Sequence, residues 1–133
     1  MTKVLDSWAL LAFFQDESGA GEVENLLLKA EETATPLLMS VVNWGEVWYC
    51  IARAKGESTA ERYVSEIDQM AVEILPVDRY VTRIAAALKA KHRLSYADCF
   101  AAALAKQRRV ELITGDKEFR ALEGELRIHW IRP

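Results

Sequence analysis

The chain has 133 residues, 51% of them hydrophobic and 28% charged, with a formal net charge of −3. That is enough chain for a single domain over residues 1–133 with its own core, and too little positive charge for a globally basic nucleic-acid binder. No apolar run approaches the ~20 residues needed to cross a bilayer, Asp6 interrupts any signal-like apolar stretch, and Cys50 and Cys99 are expected to be reduced, so a soluble cytoplasmic protein is expected.

In chain order, Lys3-Val4-Leu5-Asp6-Ser7 reads as a short buried strand that ends in a carboxylate and passes straight into a helix, Trp8 to Phe14. Asp6 has two readings: an N-cap for that helix, or an acid displayed at a sheet edge. After the turn Asp16-Glu17-Ser18-Gly19, Glu22 to Ala30 has helical spacing. Leu37-Leu38-Met39 is strand-length, Val42 to Lys55 a long helix ended by Gly56, and a helix opening at Ser58 or Thr59 reaches about Met70. Val72 to Leu75 is a third strand. Asp78 caps a helix to roughly Lys91, and Ser95 caps one to Arg108. Glu111 to Thr114 and Leu126 to Trp130 supply the last two strands, with one helical turn around Phe119 between them. Short strands alternating with helices predict a parallel sheet covered on both faces.

Groups at the carboxyl ends of parallel strands share one edge. Asp6 ends the first strand, and Asp116 follows Thr114, the last residue of the fourth. Glu46 is expected in the first turn of the helix leaving the second strand. Asp98 opens the helix that runs antiparallel into the fourth strand, so it reaches the same edge. Each acid has a local explanation: Asn43 to Glu46 and Ser95 to Asp98 read as capping boxes, and Asp116 as a turn residue. Jointly these do not explain a rim filled with acids and no bases. Two carboxylates ~4 Å apart repel by about 4 kcal/mol at an effective dielectric of 20, so a cation is expected among them. Oxygen-only ligands favour Mg²⁺ or Mn²⁺ over zinc, and such a site suits phosphodiester hydrolysis.

Other chemistries are excluded or weakened. No phosphate-cradling glycine motif follows the first strand. His92 and His129 are isolated, reading as a loop and a strand residue. A receiver-type phosphoacceptor would want paired acids where Asp6 is followed by Ser7. Basic residues cluster at Arg53 and Lys55, at Lys89 to Arg93, and at Lys106, Arg108 and Arg109. These are helix C-termini, where cations complement the dipole; phosphate contact is the other reading.

The ordered set Val4-Leu5-Asp6-Ser7, Ser40 to Glu46, Ser95-Tyr96-Ala97-Asp98-Cys99-Phe100-Ala101-Ala102-Ala103 and Thr114-Gly115-Asp116-Lys117-Glu118-Phe119 resembles the motifs of the PIN-domain family. At this length the whole chain is similar to a VapC toxin of a VapBC toxin–antitoxin pair. The resemblance implies a three-layer α/β/α fold around a five-stranded parallel sheet of order 3-2-1-4-5. It also implies Mg²⁺- or Mn²⁺-dependent endoribonuclease activity on structured RNA such as tRNA or rRNA. By the same resemblance Asp6 and Asp98 are the firmest metal ligands, Asp116 and Glu46 complete the cluster, and Ser7 and Thr114 position a ligand, water or phosphate. Glu118 departs from the acid often found there and is left outside the set. A homodimer is implied too, and Trp44, Trp48 and Tyr49, otherwise core residues, are candidates for its interface. The implied partner is a separate VapB-type antitoxin whose tail offers Arg or Lys to the acidic cleft. The rival reading is a non-catalytic PIN-like module that binds RNA or protein.

Overall fold

The computed structural model describes residues 2–132. Strands β1 (Val4–Leu5), β2 (Leu37–Ser40), β3 (Val72–Leu75), β4 (Leu112–Thr114) and β5 (Ile128–Trp130) form one sheet of order β3-β2-β1-β4-β5, and every pairing is parallel. The helices are α1 (Ser7–Phe14), α2 (Ala20–Glu32), α3 (Val41–Lys55), α4 (Glu57–Ile67), α5 (Arg79–Lys91) and α6 (Tyr96–Arg108), with a short 3-10 helix at Lys117–Leu122. The three-layer arrangement and the strand order agree with the expectation from sequence.

Strand alternation decides which helices lie on which face. Val4, Leu38 and Leu112 point to one side, where they pack with α5, α6, Phe119 and Leu122. Leu5, Leu37, Met39 and Ile113 point to the other, onto α1, α2, α3 and α4. The Ala101-Ala102-Ala103 run of α6 is wholly buried. Such small side chains let this helix lie close to its neighbours, which fixes the height of its N-terminus against the sheet. Trp44 and Trp48 pack against the second cluster, in keeping with the core reading, and the Trp48 indole donates to Glu61 Oε1 at 2.8 Å.

Several boundaries differ from expectation. Helix α3 begins at Val41, capped by the Ser40 hydroxyl, which accepts from Val42 N at 3.2 Å. Asn43 therefore lies inside the helix and caps nothing. Glu46 moves from the first turn to the second. Helix α2 starts at Ala20 after a left-handed Gly19 (φ 95°), α4 spans Glu57–Ile67, and β4 and β5 are shorter at their starts. Cys50 and Cys99 are both free, and among the described residues no helix is long and apolar enough to cross a membrane.

Candidate functional site

Asp6 follows directly on β1, the central strand, and is 1% exposed. Its two carboxylate oxygens have different fates. Oδ1 accepts from Ala9 N at 2.9 Å and caps α1, whereas Oδ2 is buried with no hydrogen-bond partner. The two sequence readings of this residue are both correct, one per oxygen. Burial is the main reason that its pKa rises to about 8; the Thr114 hydroxyl and the Ala9 amide oppose the rise, and Asp98 and Asp116 add to it. The Thr114 hydroxyl approaches the carboxylate without satisfying Oδ2.

Asp98 reaches the same rim from the first turn of α6. The Ser95 hydroxyl caps that helix by accepting from Asp98 N at 3.1 Å, so the cap sets the start of the helix that carries the acid. Asp98 is 8% exposed, and its pKa rises to about 7, first through burial and then through Asp116 and Glu46. Beyond β4, Thr114 Oγ1 accepts from Asp116 N at 3.0 Å, and Asp116 Oδ1 accepts from Glu118 N at 3.0 Å to open the 3-10 helix. Gly115, between them, leaves no space for a side chain, because a Cβ there would overlap the Trp8 ring. Glu46, on α3, accepts a hydrogen bond from the Ser7 hydroxyl.

The closest grouping is Asp98, Asp116 and Glu118, each of which offers a carboxylate oxygen within 4.8 Å of the others. Asp6 is near enough to this trio for Asp98 and Asp116 to raise its pKa, and Glu46 is near enough to raise that of Asp98. All four acids singled out in the sequence thus sit at one edge, and the structure adds Glu118. That residue follows Asp116 by two positions, and only the tight 3-10 turn carries it back toward Asp98. Asn43 was also missed. Its side chain is fully buried on α3, and its amide donates to Ala97 O at 3.0 Å, tying the helix that bears Glu46 to the one that bears Asp98. Its Oδ1 has no partner.

The expectation of acids and no bases along the rim fails at its β4 and β5 end, where Lys117 follows Asp116 and Arg132 follows β5. His92 closes α5 against Glu125, while His129, in β5, pairs with Glu22; neither reaches the acids. A hard divalent cation fits this donor set: the ligands are all oxygen, they repel in its absence, and Asp6 Oδ2 has no other partner.

The family model that matches the chain is the PIN domain, over residues 3–125. No curated protein sequence matches it. Among solved structures, VapBC2 from Rickettsia felis, bound to a DNA fragment from its promoter, is similar with a TM-score of 0.76 at 16% identity over 97% of this chain and 98% of that one. DNA-bound VapBC from Salmonella typhimurium gives 0.75 at 15% identity over 99% of both chains. VapC20 from Mycobacterium tuberculosis, described as a sarcin–ricin loop cleaving toxin, gives 0.69 at 17% identity over 91% of this chain and 94% of that one. At these identities the likeness is one of fold.

Proposed function

Since the chain belongs to the PIN domain family, we propose that it is a metal-dependent endoribonuclease, the VapC-type toxin of a toxin–antitoxin pair, built as one PIN domain and hydrolysing phosphodiester bonds in tRNA or rRNA. The observation that carries this reading is the crowding of Asp98, Asp116 and Glu118 within 4.8 Å, backed by a buried Asp6 oxygen that nothing in the protein satisfies. A scaffold that only bound RNA or protein would gain nothing from so costly an arrangement of like charges.

Asp6, Asp98 and Asp116 would hold Mg²⁺ or Mn²⁺, with Glu46 and Glu118 completing or flanking the set. Bound there, the cation would supply charge neutralisation at the phosphoryl oxygens and a lowered pKa for water. The rest is done by the chain. Thr114 fixes the backbone of Asp116, Ser7 holds Glu46, and the Ser95 cap and Asn43 clamp set Asp98 against them. Glu46 or Asp116, on the more open side of the cluster, is placed to take a proton from the attacking water. The similar folds crystallised as VapBC complexes, two of them bound to DNA, support an antitoxin partner whose Arg or Lys would enter the acidic cleft. The exposed Tyr49 on α3 belongs to the surface on which a homodimer is proposed, and a cytoplasmic location accords with RNA as the substrate.

The test is cleavage of total RNA by purified protein, with Mg²⁺ or Mn²⁺ and with EDTA. Cleavage should need the metal and should fall by at least ~10³-fold in Asp98→Asn, the scale of loss when a reacting-centre stabiliser is removed. Normal cleavage by pure Asp98→Asn would make the assignment wrong.

A further inference from the structure

A cleft of carboxylates is a poor place to begin binding a polyanion, and the chain as a whole carries a net charge of −3. Affinity for an RNA backbone has to come from cations gathered near the acids. The protein gathers them at the β5 end of the rim. Strands β4 and β5 pair in parallel with Thr114 opposite Trp130, and Ile131 N donates to Thr114 O at 2.8 Å. Two residues beyond Thr114 comes Asp116; two residues beyond Trp130 comes Arg132. Neighbouring strands lie ~4.8 Å apart, so the acidic cluster and Arg132 leave adjacent strand ends.

Between them lies a cavity of about 350 Å³ lined by Gly115, Lys117, Arg120, Glu123, Trp130 and Arg132. Gly115 and Lys117 are the residues on either side of Asp116, so this cavity adjoins the segment that carries that acid. Among the described residues, none of the side chains of Lys117, Arg120 and Arg132 is in an ion pair, although Glu22 accepts the Arg132 backbone N–H at 3.2 Å and is near enough to feel the Arg132 charge. The one carboxylate of the cavity, Glu123, accepts the Trp130 indole N–H at 3.1 Å. Helix-dipole compensation accounts for Arg120, in the last turn of the 3-10 helix, but not for the other two cations. Lys117 opens the 3-10 helix, at the end where a cation is disfavoured, and Arg132 lies outside any helix.

We propose that this cavity is a binding subsite for the sugar–phosphate backbone of RNA, taking phosphates next to the one presented to the acids, with Arg120, Arg132 and Lys117 as the contacts and Trp130 as the wall between them. The proposal rests on the nuclease reading and adds where its substrate gains affinity. Along one rim the protein would then change from acids that hold a cation to bases that hold the flanking anions. Backbone contacts of this kind give affinity and register without base preference.

The test is binding of a fluorescein-labelled single-stranded RNA to the full chain in EDTA, by anisotropy across a range of salt concentrations. Removing one phosphate-binding side chain should flatten the slope of log K against log salt by ~0.7 on single-stranded RNA. The Arg120→Ala/Arg132→Ala pair should therefore flatten it by ~1.4 and weaken binding several-fold at low salt, while the melting temperature and its rise with Mn²⁺ stay those of the parent. Arg83→Ala/Lys91→Ala, in another cation-rich cavity of about 430 Å³ between α5 and α6, should change neither slope nor affinity. An unchanged slope in Arg120→Ala/Arg132→Ala would overturn the proposal. So would its transfer to the α5–α6 pair, or an effect on binding of polyglutamate with none on RNA, which would mark a protein site. Metal-dependent RNA cleavage by the parent, measured on the same preparation, separates these outcomes: if it is present while the slope is unchanged, the subsite alone fails; if it is absent, the nuclease reading fails.

Discussion

Asp6 shows at a single side chain what the fold asks of its acids. One oxygen caps α1, and the other is buried without a partner at the end of the central strand. Substitution by Asn keeps a capping oxygen and removes the charge, so at pH 9 the metal-free Asp6→Asn protein should be more stable than the parent by at least ~1 kcal/mol, because a neutral carboxamide costs far less to desolvate than a carboxylate. Denaturant melts of the two proteins in EDTA measure this; a destabilised Asp6→Asn would mean that Oδ2 has a partner. The pH dependence follows from the same group. Folded, Asp6 keeps its proton up to about pH 8, and Asp98 up to about pH 7; unfolded, each loses it near ~3.9. Between those limits the native state binds more protons, so metal-free stability should fall as pH rises from ~4 to 8. Melting in EDTA at a series of pH values should show that decline, and a flat or rising curve would contradict the burial described for these acids.

Elements bring the acids together by how they start. Asp6, Ser95 and Asp116 each cap the element that follows, and Ser40 caps α3, so the local devices that set helix starts also set the heights of the functional carboxylates. Asn43 adds a direct side-chain hydrogen bond between α3 and α6 near the site. Asn43→Ala removes the hydrogen bond to Ala97 O and should cost about 1 kcal/mol in a thermal melt, with the metal-induced rise in melting temperature diminished. A neutral effect would show that packing alone holds the two helices. These features also mark where the sequence stops being informative. Capping residues, glycine turns and strand alternation are written locally, which is why Ser95, Asp78 and Gly56 could be read correctly. Val41 and Val42 are β-branched and disguise a helix start, so Asn43 resembles the cap that Ser40 provides. Its contact with Ala97 spans 54 positions and has no local signal. Glu118 falls outside the sequence-derived set because it departs from the acid often found at that place in the resembling motif, and a turn around Phe119 does not by itself show that the side chain returns toward Asp98.

At the scale of the molecule, the order β3-β2-β1-β4-β5 with all strands parallel makes one edge the collecting point for strand ends and for the first turn of α6. This much was legible, because alternating short strands and helices leave few topologies once crossovers are right-handed. The two faces of the sheet were legible too, in Val4 against Leu5 and Leu112 against Ile113. The cationic side of the rim was not, since Arg132 becomes a neighbour of Asp116 only through the pairing of β4 with β5. The proposed function depends on the rim's negative charge being there to hold a hard divalent ion. The most direct measurement is the melting temperature of the full chain at pH 8, in EDTA and with increasing Mn²⁺. Saturation a hundredfold above the dissociation constant should add about 2.7 kcal/mol of stability, and Asp98→Asn should abolish most of that gain. A melting temperature indifferent to Mn²⁺, or one that rises equally in Asp98→Asn, would contradict a metal-holding role for these acids.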